Sequence, residues 1–203
     1  MNPLEFRTGA IKPVEIYKEA WELIKPQFWL VFGVVIVGIL IGSIIPFVTI
    51  GPMMCGIFMC LLKVIDRKQM EFGDLFKGFD FLWKSLPISI AIMLPVFVLL
   101  IVMYIPMIGI AIAGNKMSES ELIPFLFGVI IFELIAAIVM VCFHTLLLFA
   151  FPLVADRGLS GLDAIKLSFK AVWKNLAGMA GLLAVGMVIA MVSYLVLCVG
   201  IYF

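Results

Sequence analysis

The sequence predicts an all-α integral membrane protein, with about five transmembrane helices and three amphipathic helices lying along the cytoplasmic face of the bilayer. Three observations carry that prediction. The chain of 203 residues is 65% hydrophobic and only 13% charged, with a mean hydropathy of +1.27. Apolar runs long enough to cross the ~30 Å hydrocarbon core of a bilayer recur along it. Between those runs lie short charged islands whose residues repeat with helical spacing.

The elements follow in order within a single membrane domain, 1–203. Over 13–26, Glu15, Lys18, Glu19, Glu22 and Lys25 oppose Ile16, Ala20, Leu23 and Ile24, which predicts an amphipathic interface helix. Phe28 to Ile65 then holds 38 residues with one charge, Lys63. Pro46, Gly51 and Pro52 supply a break, giving spans 28–45 and 50–65. A second interface helix is expected over 71–86. Asp74, Lys77, Asp80 and Lys84 mark its polar side; Leu75, Phe76, Phe79, Leu82, Trp83 and Leu86 mark its apolar side. The third span is 87–113, with Pro95 and Pro106 as kinks, and GNKMSESE (114–121) is a polar loop.

The fourth span, 122–155, has 34 residues, and apart from cysteine only Glu133 and His144 are ionisable. A straight helix of that length would reach ~51 Å, so it must tilt, bend or project from the membrane. The third interface helix, 161–175, places Asp163, Lys166, Lys170 and Lys174 in one stripe about 80° wide. The last span is 176–203.

The islands repeat. They align on Lys25, Lys84 and Lys174, each followed within a few residues by a span. The second and third share an aromatic pair before that lysine, Phe79/Trp83 and Phe169/Trp173, and an Asp-Arg pair ahead of it, Asp66-Arg67 and Asp156-Arg157.

Of the 14 Lys and Arg residues, only Lys116 lies outside three segments: before Phe28, 63–84 and 157–174. The positive-inside rule makes those segments cytoplasmic, together with the N-terminus, in a multi-pass protein of the cell inner (plasma) membrane. The first residues carry Glu5, Arg7, Lys12 and Glu15 with no short apolar core, so the first apolar run is expected to act as an uncleaved signal.

Amphipathic helices bearing lysine and tryptophan suit the interface plane. The expected headgroup contacts are Lys77, Lys84, Lys166, Lys170 and Lys174, with Trp83 and Trp173. Membrane lipids are the expected partner, and packing of these helices on the protein's own bundle is the alternative. Small-residue pairs, Gly38/Gly42 and Ala177/Gly181, are candidates for close helix contacts.

FPLVADRG (151–158) followed by AIKLS (164–168), with GPMMCG (51–56) and FGDLFKGF (72–79), resembles a group of uncharacterised multi-spanning prokaryotic membrane proteins. That group is similar to the membrane domain attached to some glycerophosphodiester phosphodiesterases. The resemblance implies a bundle of about six spans with interface helices and no established activity. It also implies one more span than the chain carries, which a homo-oligomer or a partner subunit would supply. No phosphodiesterase catalytic domain is expected, because the polar segments are short and hold no cluster of His, Glu and Asp.

Candidate chemistry is sparse. MMCGIFMC (53–60) offers soft ligands, with Cys55 and Met59 on one helical face, but no second cluster opposes it; metal binding and cofactors are not expected. Cys55, Cys60, Cys142 and Cys198 are expected to be buried free thiols. Glu133 and His144 are eleven positions apart, pointing within ~20° of each other on a continuous helix but ~16 Å apart along it. They read as stations of an intramembrane polar path or as satisfied structural residues. His144 has only Cys142 and Thr145 close in sequence, both misdirected for nucleophilic catalysis, so no enzyme is expected. The net charge of +1 points to no nucleic-acid partner. The expected function is a non-enzymatic assembly, anchoring or lipid-contacting bundle; the alternative is a small transporter or channel component using Glu133 and His144.

Overall fold

A computed structural model describes residues 11–113 and 118–201. All regular structure among them is helical. The order is α1 (Pro13–Ile24), a 3-10 turn (Lys25–Gln27), α2 (Phe28–Gly42), α3 (Pro46–Ile65), a 3-10 helix (Phe72–Phe81), α4 (Leu82–Ala113), α5 (Glu119–Leu146), α6 (Ala150–Arg157), α7 (Gly161–Lys174) and α8 (Leu176–Ile201). Five segments are long and apolar enough to cross a membrane: Pro13–Gly42, Pro46–Ile65, Phe72–Ile112, Ser120–Arg157 and Leu176–Leu195. Lys116 and the Cys198 side chain lie outside the described residues.

Three element boundaries differ from expectation. The first break falls entirely at Pro46, in the first turn of α3, where a proline costs no helical hydrogen bond. Gly51 and Pro52 are instead buried inside α3, which therefore starts four residues before the expected 50. Thr49 Oγ1 closes the turn by donating to the Gly42 carbonyl at 2.9 Å. The second difference is over 72–81, where the chain is a 3-10 helix and not the α-helix expected over 71–86. Third, the long fourth span does not run straight. It breaks at 147–149 between α5 and α6.

α3 is the central helix. In its most apolar stretch 44% of residues are buried, against 0% in the most apolar stretch of Ser120–Arg157. One side of α3 joins Val31 and Val34 of α2, Met70 and Leu75 in a first core through Met53, Ile57, Cys60 and Val64. Its other side meets Ile88 of α4, Phe151 and Val154 of α6 and Ala164 of α7 through Cys55. Gly38 lets α2 approach; a Cβ there would lie 2.7 Å from Ile57 Cδ1. The approach of the 3-10 helix is closer still. A Cβ on Gly56 would overlap the Leu75 carbonyl, and one on Gly78 would overlap the Pro52 carbonyl. Backbone rests directly on backbone there.

The charged islands meet at one end of the bundle. The Gln27 side chain donates to the Lys68 carbonyl at 3.2 Å and accepts from the Met70 amide at 3.1 Å. Lys84 Nζ donates to the Gly158 carbonyl at 2.9 Å. The copies of the repeat also end alike. Arg67 after α3 (φ 56°) and Gly158 after α6 (φ 63°) both take the left-handed conformation, the common way to terminate a helix.

Gly56→Ala and Gly78→Ala must each displace backbone. Overpacking of this kind costs about 1–3 kcal/mol, so each variant should unfold at lower temperature in detergent than wild type. Gly73→Ala has nothing within 4 Å of the new Cβ and should stay near wild type on the same thermal melts.

Candidate membrane-interface site

In a 3-10 helix, side chains three apart eclipse one another, so the 72–81 segment has three rows. Leu75 and Gly78 point into the bundle. Phe76 and Phe79 are exposed. Asp74, Lys77 and Asp80 form the third row, which the sequence marks as polar and outward. At Asp74 that expectation fails: its side chain is 1% exposed. Lys63 Nζ donates to Asp74 Oδ2 and Lys77 Nζ to Oδ1, both at 2.6 Å, and the Glu71 amide adds a 2.9 Å bond to Oδ2. The carboxylate faces inward because Lys63, the lone charge of the 28–65 run, comes down from α3 to meet it. Hydrogen bonds from Lys63, then Lys77, hold its carboxyl far below the usual range.

α7 repeats the three-way division with α-helical spacing. Ser160 caps it, its Oγ accepting from the Asp163 amide at 3.3 Å. Gly161, Ala164, Leu167, Ser168 and Val172 are buried against the bundle. Leu162, Phe169 and Trp173 form a separate exposed apolar face, on which the two rings stack 5.9 Å apart. Asp163, Lys166, Lys170 and Lys174 form an exposed charged face next to it.

The other expected contacts sort differently. Trp83 is 80% exposed beside the exposed Phe76 and Phe79. Lys77 and Lys84 are exposed, yet each has a protein partner: Asp74 for Lys77, the Gly158 carbonyl for Lys84. Lys84 thereby caps the C-terminus of α6, where a cation is favoured, and joins the two copies of the repeat.

Glu133 and His144 lie with Ala136 and Met140 on the less exposed side of α5. His144 Nδ1 is 2.8 Å from the Met140 carbonyl, and Thr145 Oγ1 donates to the Val141 carbonyl at 2.7 Å; both are occupied within their own helix. No hydrogen bond or ion pair links Glu133 to another described residue. Cys55 and Cys60 are buried free thiols, but they point into different cores and do not converge. Cys142 is exposed, contrary to the expectation of burial, because α5 is covered on so little of its surface. No cluster able to hold a metal ion occurs among the described residues.

Gly38 and Gly42 are buried against α3. Gly181 packs under Pro13 of α1, with its Cβ position 3.0 Å from Pro13 Cγ. Its expected partner Ala177 is exposed. Gly178, beside Ile11, takes its place, and Tyr17 reaches past to donate to the Leu182 carbonyl at 3.2 Å.

Comparison with protein-family models, curated proteins and solved structures gives no match.

Sequence reasoning passed over Ser168, which is fully buried and bonds the backbone at the α5–α6 break. The signal was present: Gly161, Ala164, Ser168 and Val172 make a stripe of small residues at helical spacing. So was the signal for Gly56 and Gly78, which stand on either side of the same contact.

Asp74 gives two predictions. Its lowered pKa stabilises the fold above the usual 3.8, and that stabilisation is lost as pH falls through the folded value. Acid unfolding in detergent should therefore be less steep in Asp74→Asn than in wild type. Removing the carboxylate leaves the half-buried Lys63 and the exposed Lys77, both of which water can reach. Removing both lysines (Lys63→Met with Lys77→Met) strands a buried charge, which costs about 3–5 kcal/mol, so the double variant should melt below Asp74→Asn at neutral pH.

Proposed function

We propose that this chain is a non-enzymatic, multi-pass protein of the inner membrane that acts as an anchoring, assembly or lipid-contacting bundle. Its five apolar segments cross the bilayer, and the end that gathers 63–84 and 157–174 faces the cytoplasm with the N-terminus. The observation that carries this reading is the division of α7 into three faces. A helix of a water-soluble protein has one reason to gather large apolar residues, which is to bury them. α7 buries Gly161, Ala164, Leu167, Ser168 and Val172 on one face and still leaves Leu162, Phe169 and Trp173 outside, beside Lys166 and Lys170. A lipid interface accounts for that: rings settle among the upper acyl chains while lysines extend to the phosphates. Anionic lipid of the cytoplasmic leaflet contributes about 1 kcal/mol for each basic residue near the surface. Phe76, Phe79 and Trp83 extend the same surface. The likeness of the 51–56, 72–79, 151–158 and 164–168 stretches to multi-spanning prokaryotic membrane proteins agrees with this reading. A homo-oligomer or a complex with a partner subunit is part of it.

A second reading, a transporter or channel component, rests on Glu133. A carboxylate within an apolar span is costly unless it faces a polar cavity or a partner, and none of the described residues pairs with it.

Trp173 reports directly on the first reading. In vesicles, a variant retaining only Trp173 should be quenched more by lipids brominated near the headgroup than by lipids brominated at the chain ends; absence of quenching by either would place α7 in water. Changing Lys166, Lys170 and Lys174 together to Gln should lower the retention of anionic lipid in native mass spectra, and unchanged retention would mean that these lysines serve the protein alone. For the second reading, proton or small-cation flux into proteoliposomes should fall in Glu133→Gln, and background flux in both proteins would remove it.

A further inference from the structure

α5 and α6 meet at a break into which Ser168 is inserted. Around the break, the Leu147, Leu148 and Ala150 amides reach back three residues, to His144, Thr145 and Leu147 at 3.1, 3.2 and 2.9 Å. The Phe149 amide does not. It donates to Ser168 Oγ at 3.1 Å, and that hydroxyl donates to the Leu146 carbonyl at 2.7 Å. Ser168 thus occupies the step that a helix would close between 146 and 149. Side-chain insertion into the hydrogen-bond ladder is an established cause of sharp helix bends. The inserted group comes from α7, and it is fully buried.

The two sides of the break are held very differently. α6 is fixed in the core by Ala150, Phe151 and Val154. No described side chain of α5 is buried. An apolar groove of about 380 Å³ separates α5 from α4, between Leu99 and Val102 on one wall and Ala136, Met140 and Phe143 on the other.

We infer that α5 is an arm hinged at 147–149 whose bend Ser168 holds fixed, so that the width of the groove against α4 changes only when the hydrogen bonds of Ser168 are lost. Removing the hydroxyl frees the Phe149 amide and the Leu146 carbonyl to pair with each other in the same three-residue pattern as their neighbours, which tightens the turn at the break and moves the arm. The inference does not depend on what is bound by the groove or by the exposed surfaces of 72–81 and α7, which together form a collar at one end of the bundle.

The test is a spin-label distance measurement in lipid bilayers between Val48→Cys, at the start of α3, and Phe127→Cys, far along α5. Both positions are exposed. Cys142 and Cys198 are replaced by Ser, while Cys55 and Cys60 are buried and stay unlabelled. Residue 127 lies ~30 Å of helix from the break, so a bend change of about 20° displaces it on the order of 10 Å. Wild type should give one narrow distance. Ser168→Ala should shift it or add a second population by that amount. Ser168→Cys keeps the size but bonds weakly and should fall between them; it alone decides the matter if Ser168→Ala does not fold. A wild-type distribution in the folded variant overturns the hinge.

Discussion

The bundle depends on one constraint: the 72–81 segment must lie with its backbone against the backbone of α3. Gly56 and Gly78 carry no Cβ that would hold the two apart. That contact brings Leu75 into the core shared by α2 and α3. It also sets Asp74 within reach of Lys63. α4 then leaves from a fixed point, and its first turns supply Ser85, Ser89 and Ile88 to the packed centre. Ser85 and Ser89 lie against Gly51, where a Cβ would come within 2.6 Å of each hydroxyl. Lys84, carried on the same turn, reaches across to close the end of α6. A bulkier residue at position 56 or 78 would loosen all of these together.

The ion pairs within this arrangement have unequal weight. Lys12–Glu15 and Lys68–Asp66 are exposed pairs of the kind that contributes little. Asp74 is different because its carboxylate is desolvated while both lysine partners keep their contact with water. The energetic risk is therefore one-sided. Losing the acid costs two charge-assisted bonds, whereas losing both bases strands a charge in the core.

How much of this was legible in the sequence follows from what periodicity can express. Long uncharged runs announce the long apolar helices, because a hydrocarbon surrounding would impose the same demand on every side of a helix. The helical islands and their repeat were equally plain in the spacing of Asp163, Lys166, Lys170 and Lys174. A polar-against-apolar pattern cannot separate two apolar faces, however. Phe169 and Val172 read alike, yet one is exposed and the other buried, and Leu162 and Leu167 part in the same way. Asp74 was misplaced for a related reason. Its partner Lys63 lies eleven residues away on another element, beyond the reach of local spacing. The break at 147–149 was required by length, since 34 residues overrun a bilayer, but its position depends on Ser168, which the sequence places 19 residues from Phe149. For Glu133 the chain supplied an ionisable residue in an apolar helix, and the fold supplies no partner for it among the described residues.

The collar surfaces of 72–81 and α7 follow one plan built from two helix types. Each has an inward row, an exposed apolar row and a charged row, and each hands the chain directly to a long apolar helix. This plan needs every collar segment at the same end of the bundle, so that one membrane face serves them all. Cysteine substitutions labelled by a membrane-impermeant thiol reagent in sealed, uniformly oriented vesicles test that requirement most directly. Lys68→Cys and Ser160→Cys should react from one side, and Ser43→Cys and Ser118→Cys from the other. Reaction of Ser118→Cys and Ser160→Cys from the same side would contradict the account.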